Sequence, residues 1–519
     1  MKFMKLPLLL LAGASVMSAQ SSLDSLVDRY FDDYFRLYPS AATAAGFHHP
    51  FDSQLEDYSK KGFDRRIQLA HRYLPHFENQ PASDDRDFIV SRLRAGLLSL
   101  ETIRDYVRDP DIYSSGVTSS IFDLISRKFA PPEERLRSVV ARERQIPQVL
   151  AHARENLTNP PRIYTEIAIE QLPGNESFFA KDVPAAFTEV KDRTLLDAFA
   201  KSNSATIDVL KQYQRWLESD LLTRSHGDFR IGSENFRKKL LFDEMVDIPL
   251  DRILEIGYAD LRKNQNWLKQ VCAKIDPAKT PQQIADRIGK DHPEPSRLLE
   301  SFRNTFNGLI GFTDAHHIIT IPSDVRPILE ETPPFMRALT TASMDTPGPY
   351  ENVATEAYFN VTLPEKNWSR EETEEFMTAF NRGTIVSTAI HEAYPGHYVQ
   401  FLWFHRLQSK KRKLLHCNTN VEGWAHYTEQ MMLDEGYGDG DLQLRAGQLL
   451  DALLRDCRYI VGLEMHSGKM TYDQGIEFFM REGFMTRAYA ERETKRGTSD
   501  PTYLYYTLGK LQIMKLRED

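Results

Sequence analysis

The stretch Ile385 to Leu402, IVSTAIHEAYPGHYVQFL, decides how this chain is read. Ile385, Val386, Ala389 and Ile390 recur at helical spacing and give a helix one face to bury. That run delivers His391 and Glu392 side by side, and His397 follows across a Pro-Gly step. Two imidazoles and a carboxylate so close together suit a zinc hydrolase: neutral nitrogens bind the ion, and the carboxylate takes a proton from the attacking water. Histidines six residues apart point about 120° apart on an ideal helix, so a straight helix cannot close both on one ion. Pro395 cannot donate an i→i−4 bond and Gly396 tolerates unusual dihedrals. The spacing therefore predicts a widened, π-bulge-type turn at Tyr394-Pro395-Gly396 that re-aims His397.

A second stretch, Val421 to Glu429 (VEGWAHYTE), places Glu422 31 residues after His391. A third ligand from a following helix completes a two-histidine, one-glutamate site, and Glu422 fits that role. His426 and Glu429 lie one and two turns further along the same face, where groups that orient a ligand histidine sit. The sequence leaves open whether His397 or His426 is the second nitrogen ligand.

His-Glu-Ala-Tyr-Pro-Gly-His-x-x-Gln followed by Glu-Gly-Trp-Ala-x-Tyr-x-Glu resembles the bacterial domain-of-unknown-function 885 family, a relative of gluzincin zinc metallopeptidases. Tyr38 to Gly46 is similar to the family's opening Pro-x-x-Ala-Thr-x-x-Gly, and Pro501 to Lys510 to its closing Tyr-x-x-Gly segment. The resemblance implies a zinc peptidase with a long helical channel. It singles out Tyr506, which would donate to the oxyanion of a tetrahedral intermediate. Arg458 and His466 match family positions, but the family often carries an acidic residue where Gly462 stands here. His466 is either a group lining the cleft or a core histidine with its bonds satisfied.

Lys2 and Lys5 precede an apolar run from Leu6 to Ala14, followed by small residues and the polar Gln20-Ser21-Ser22. That layout reads residues 1–20 as a signal peptide, with an apolar core too short to span a bilayer. No cysteine stands near the cleavage region, which argues against a lipid anchor. The expected location is periplasmic or secreted. A net charge of −9 with mixed signs and no basic block argues against a nucleic-acid partner. The three cysteines, Cys272, Cys417 and Cys457, match no metal spacing. They are read as reduced core thiols, with a Cys417–Cys457 disulfide the alternative in an oxidising compartment.

From Leu23 to about Trp267 the pattern is helical, beginning with the stripe Leu23, Leu26, Val27, Tyr30, Phe31, Tyr34 and Phe35. Pro131-Pro132, Pro160-Pro161 and Ile248-Pro249 punctuate it, and no fixed-period repeat is present. Strand character appears at His316–Pro322 and Ala357–Thr362. His316 and His317 alternate across such a strand and so are not ligands. Tyr358 to Val361 is the candidate edge strand that pairs with a peptide backbone, as edge strands do in gluzincins, which makes Tyr358 and Asn360 substrate-binding candidates. Tyr503 and Tyr506 lie one turn apart if helical, and Arg496 upstream can hold a substrate carboxylate.

The expected fold is mostly α: a large helical protein, gluzincin- or neurolysin-like, with a deep cleft and a small sheet beside the metal helices. The leader precedes one domain spanning 21–519, with a helical lobe at 21–270 and a lobe at 271–519 carrying sheet and site. His391, His397 and Glu422 are expected to hold one Zn²⁺, with Glu392 as the general base and Tyr506, with His466 as a second candidate, facing the oxyanion. The expected substrate is an unfolded peptide, and no stable membrane insertion follows removal of the leader. The rival expectations are a zinc hydrolase of a non-peptide amide or ester, and a non-catalytic binding protein on a peptidase scaffold.

Overall fold

The computed structural model describes residues 8–337 and 340–519, with side chains from residue 22 onward. The signal-peptide reading of residues 1–20 lies outside the residues whose side chains are described. Among the described residues, no helix is long and apolar enough to cross a membrane.

The chain is mostly helical with one three-stranded sheet. The helices that bear on the site are α1 (Leu8–Leu37), α2 (Lys60–Glu78), α3 (Leu250–Ile275), α4 (Arg382–Glu392), α5 (His397–Arg406), α6 (Asn418–Asp434), α7 (Leu442–His466), α8 (Arg487–Ser499) and α9 (Tyr505–Glu518). The apolar stripe of α1 is inside as the period requires: Leu23, Leu26, Val27, Tyr30, Phe31 and Phe35 are buried, facing Leu69, Tyr73 and Phe77 of α2. Such a stripe, rather than intrinsic propensity, supplies most of the stability of a surface helix.

A second core fills the bundle between residues 111 and 221, and a third packs the sheet against α4, α5 and α6. A fourth joins the helices around α3 to α7 and α9. Helix α3 crosses the sequence-based division at 270 and packs along α7, sharing its core with the C-terminal half.

The strands are β1 (Ile328–Glu331), β2 (Ala342–Asp345) and β3 (Tyr358–Val361). Their order is β1-β3-β2, with β3 parallel to β1 and antiparallel to β2. This corrects the edge-strand expectation: β3 is the central strand, and its backbone groups are spent on both neighbours. Alternation puts Leu329, Phe359 and Met344 on the face toward the metal helices, with Glu330, Asn360 and Ser343 on the other. The expected strand at His316–Pro322 is absent. His316 instead caps the helix Phe306–Ala315 and His317 turns the chain at φ 53°. Both histidines stay outside the site.

Helices α6 and α9 touch backbone to backbone. A Cβ on Gly423 would meet the Gly509 Cα at 2.5 Å, and one on Gly509 would meet the Thr419 carbonyl oxygen at 1.9 Å. The two motifs Glu422-Gly423 and Tyr506-x-x-Gly509 are thus the two halves of one helix crossing. A buried ion pair, Lys510 Nζ to Asp260 Oδ2 at 2.8 Å, fastens α9 to α3.

Candidate metal centre

Asn381 starts α4 by accepting the Thr384 N–H on its side chain at 3.1 Å, an N-cap of the expected type. The helix ends at Glu392, and a new one, α5, begins at His397. This corrects the π-bulge expectation: the helix stops and restarts. The widening is confined to its last turn, where the Tyr394 N–H reaches back five residues to Ala389 and the Gly396 N–H six residues to Ile390. The Tyr394–Pro395 peptide is cis. Gly396 lies against the end of α4 so closely that a Cβ would meet the His391 carbonyl oxygen at 1.8 Å. A side chain there would push His397 away from His391.

The restart brings the three nominated ligands together. His391 Nε2 and His397 Nε2 each lie 3.2 Å from Glu422 Oε2. The two imidazole planes are nearly perpendicular, with centroids 4.8 Å apart. All three ligand atoms fall within 4.8 Å of one another. His391 and His397 are buried, and the Glu422 side chain is 22% exposed.

His391 Nδ1 faces Glu429 Oε1 at 2.6 Å, so its Nε2 is left for the centre. The other Glu429 oxygen faces His426 Nδ1 at 3.1 Å, and Arg455 approaches Oε1 at 3.4 Å. His426 is therefore one step removed from the site, held by Glu429 and not pointing its Nδ1 at the other ligands. Burial drives its pKa down to about 4, so it is neutral. Burial also pulls on His391, but its bonds to Glu422 and Glu429 outweigh that and raise it to about 10. The His391 and His397 imidazoles hold Glu422 well below the usual carboxylate range, despite burial pushing the other way.

Glu392 is buried beside the two histidines, and its Oε2 has no hydrogen-bond partner. Burial pushes its carboxyl up, opposed by the charge of His391 and His397. The Tyr506 ring stacks near His391 with centroids 6.2 Å apart, and its hydroxyl accepts from Arg496 at 3.2 Å. Arg496 also reaches Asp500 at 3.5 Å, so it serves Tyr506 rather than standing free. The Arg458 guanidinium, paired twice with Glu493 at 2.6 and 2.9 Å, lies over the Tyr506 ring at 5.1 Å.

Four nominated residues are elsewhere. Tyr503 is fully buried, in the turn before α9 and not on its face; its ring fills the space beside Gly462 and Gly497. Glycine at 462 is what admits that ring, since a Cβ would meet it at 2.6 Å. His466 is a core residue: its Nδ1 accepts the Ile231 N–H at 3.3 Å and its Nε2 donates to the Gly497 carbonyl at 2.8 Å. It sits eleven residues beyond Arg455 on α7, roughly 16 Å along the axis. Asn360 is 1% exposed on the polar face of the sheet with its Oδ1 unpartnered, and Tyr358 packs under Arg127. Neither approaches the three ligands through a bond.

Burial holds the His466 pKa near 4, below the ordinary 6.5. The folded state resists its protonation, so its stabilising contribution is complete above about pH 6.5 and drains away as pH falls toward 4. The loss amounts to roughly 3 kcal/mol by pH 4. Urea unfolding from pH 7 to 4 is expected to show that slope, and a His466→Gln variant to show it reduced.

Sequence reasoning missed Arg455, which joins Glu429 to Asp451 at 3.4 and 3.2 Å, and Phe401, stacked on His397 with centroids 5.7 Å apart. The signal for Arg455 was available: Arg455 and Arg458 interrupt the long apolar run of α7 three residues apart, on one face. The three cysteines are free.

A cavity of about 690 Å³ runs from the tyrosine face of α1 to Phe401 beside His397. A second, of about 340 Å³, shares Arg92, Lys239, Asp243 and His416 with it and reaches Asp500. A third, about 380 Å³, lies around Thr384 and Asp451 at the start of α4, seven residues from His391.

Residues 39–519 match the model of a family described as a bacterial protein of unknown function (DUF885). The chain belongs to this family. Among solved structures, this family member is similar to one described as "a putative lipoprotein of unknown function" from Shewanella oneidensis. The two are 26% identical with a TM-score of 0.76, over 95% of this chain and 92% of the other. It also shares its fold with "the putative lipoprotein" from Colwellia psychrerythraea, at 15% identity and a TM-score of 0.78, over 96% of this chain and 92% of that one. No curated protein matches it.

Proposed function

We propose that this protein is an exported zinc-dependent peptidase, related in mechanism to gluzincins, that cleaves unfolded peptides. The observation that carries the reading is the pair of 3.2 Å separations between Glu422 Oε2 and the two imidazole Nε2 atoms. Donors about 2.0–2.1 Å from one tetrahedral ion stand about 3.3 Å apart, so both nitrogen–oxygen separations match a zinc shell, and all three ligand atoms lie within 4.8 Å of one another. The donor set of two nitrogens and one carboxylate, without thiolate, suits a catalytic ion. Glu429 adds the outer carboxylate that fixes the tautomer of a ligand histidine.

Zinc, when bound, supplies a Lewis acid that polarises a carbonyl and makes water a nucleophile near neutral pH. Glu392, with one oxygen unpartnered beside the ligands, accepts the proton of the attacking water and passes it to the leaving amine. The Tyr506 hydroxyl, steered by Arg496, donates to the oxyanion. Strand β2, which packs on α4 and has no partner on its outer side among the described residues, offers its backbone to an extended peptide. The relatives described as lipoproteins support export.

Metal analysis of protein purified without chelator is expected to give about one zinc per chain. An unstructured peptide library, assayed beside small amides and esters, is expected to show peptide cleavage that chelation abolishes and zinc restores. Protein without stoichiometric zinc, or turnover confined to non-peptide amides or esters, would overturn the reading.

A further inference from the structure

Arg66, on α2, is 7% exposed and forms no ion pair among the described residues, yet it lines the cavity of about 690 Å³ that reaches Phe401. Its guanidinium is held among three rings, 4.7 Å from the Phe63 centroid, 4.8 Å from Tyr38 and 5.4 Å from Tyr58. Among the described residues it makes one hydrogen bond with its five N–H donors, to the Asp57 carbonyl at 3.2 Å. Glu56, the nearby carboxylate, gives its oxygens instead to the Ser40 N–H and hydroxyl at 3.0 and 2.7 Å.

A charge taken out of water without an opposite partner costs stability. The aromatic faces offset part of that cost through cation–π attraction, but they satisfy none of the in-plane donors. What remains is a rigid fork of the shape that binds a carboxylate through two parallel hydrogen bonds. The rest of the lining has the same sign: Arg92 and Lys239 share a single carboxylate, Asp243, at 3.3 and 2.6 Å, and the Lys413 ammonium lies over the Tyr350 ring. Tyr30, Tyr34 and Tyr38 form a row along one wall, Tyr34 and Tyr38 stacked at 4.3 Å. The cavity ends at Phe401, whose ring lies on the candidate ligand His397. Its size falls in the range of sites that enclose small ligands.

We infer that Arg66 anchors a carboxylate of the substrate in this cavity, so that the protein selects short anionic peptides with apolar or aromatic side chains. The inference rests on the peptidase reading for its peptide, and on the cavity alone for its carboxylate. The carboxylate is either the peptide C-terminus or an acidic side chain.

The test uses zinc-loaded protein carrying Glu392→Gln, which holds peptides without cutting them. Binding is measured by calorimetry for a hexapeptide with a free C-terminus and for its C-terminal amide, then for two amides that differ by an internal Glu or Gln. The carboxylate-bearing member of at least one pair is expected to bind about tenfold tighter or more, and the pair that shows the ratio identifies the carboxylate. Adding Arg66→Gln is expected to bring that ratio within twofold of one, with a circular dichroism spectrum and melting curve matching the parent's to report an intact fold. Arg66→Lys keeps a charged stem over the rings without the fork. It is expected to lose most of the ratio, and it replaces the glutamine variant if that fails to fold. Equal affinity within both pairs, or a ratio that survives Arg66→Gln, overturns the inference. Cleavage by the unmodified protein is assayed separately: a preserved ratio without any cleavage supports the carboxylate site and sinks the peptidase reading.

Discussion

Replacing Glu392 by glutamine is expected to lower kcat on a peptide substrate by about 10²–10⁴-fold, the usual worth of a positioned general base, with zinc content unchanged. The amide keeps the shape of the carboxylate but cannot take a proton. The geometry makes the separation of the two effects clean. Glu392 bonds to none of the three ligand residues, and its unpartnered oxygen is not among the cluster of ligand atoms. The variant should therefore hold metal with an affinity close to that of the parent. Stopped-time peptide assays and elemental analysis on the same preparation check both halves. Turnover within a few-fold of the parent would remove Glu392 from the mechanism.

Glu429→Ala is expected to lower folding stability by about 3–5 kcal/mol, the cost of breaking a buried charge pair by removing one partner. Glu429 is fully buried and serves four groups at once: His391 at 2.6 Å, His426 at 3.1 Å, Arg455 at 3.4 Å and the Ser387 hydroxyl at 3.4 Å. Arg455 holds its carboxyl well below the ordinary range against the push of burial. Without it the Arg455 charge leans on Asp451 alone, and the His391 Nδ1 loses its partner. Zinc affinity is expected to fall about 10–100-fold as well. Urea unfolding of the metal-free protein and zinc titration of the folded protein measure the two losses. Glu429→Gln, which keeps the volume and one acceptor, should lose less of each. A stability change below about 1 kcal/mol for the alanine variant would show that the network bears little of the fold.

What the sequence revealed of this site, and what it hid, divides by range. Spacing could pair His391 with Glu392 on one helix and Glu422 with Glu429 on another; that the two pairs meet, and that His397 rather than His426 faces them, depends on the helix break and on the packing of α6 against α4. The helical character of α1 and α7 was legible from spacing as well. Strand order was not, because nothing in Tyr358 to Val361 says whether one neighbour or two will pair with it; that depends on β1 and β2 arriving from either side. Tyr503 and Tyr506 separated because α9 begins only at Tyr505, so a spacing argument applied before the helix had started. The α4 break was half legible: Pro395 and Gly396 announced an irregular turn, but whether the helix continues past it rests on contacts with Ile390 and His391. Arg66 was hidden because its cage closes only when Tyr38, from a separate segment upstream, folds over Tyr58 and Phe63.

The contact between Gly423 and Gly509 also couples the candidate ligand Glu422 to the last helix. Helix α9, the last fourteen residues before Asp519, covers the flank of α6 that carries Glu422, and it brings Tyr506 with it. Gly423 and Thr419, which meet Gly509, share a face of α6 with Glu422, so the crossing and the carboxylate cannot move apart independently. Prising the two helices apart would therefore uncover the Glu422 flank and carry Tyr506 off His391 in a single movement.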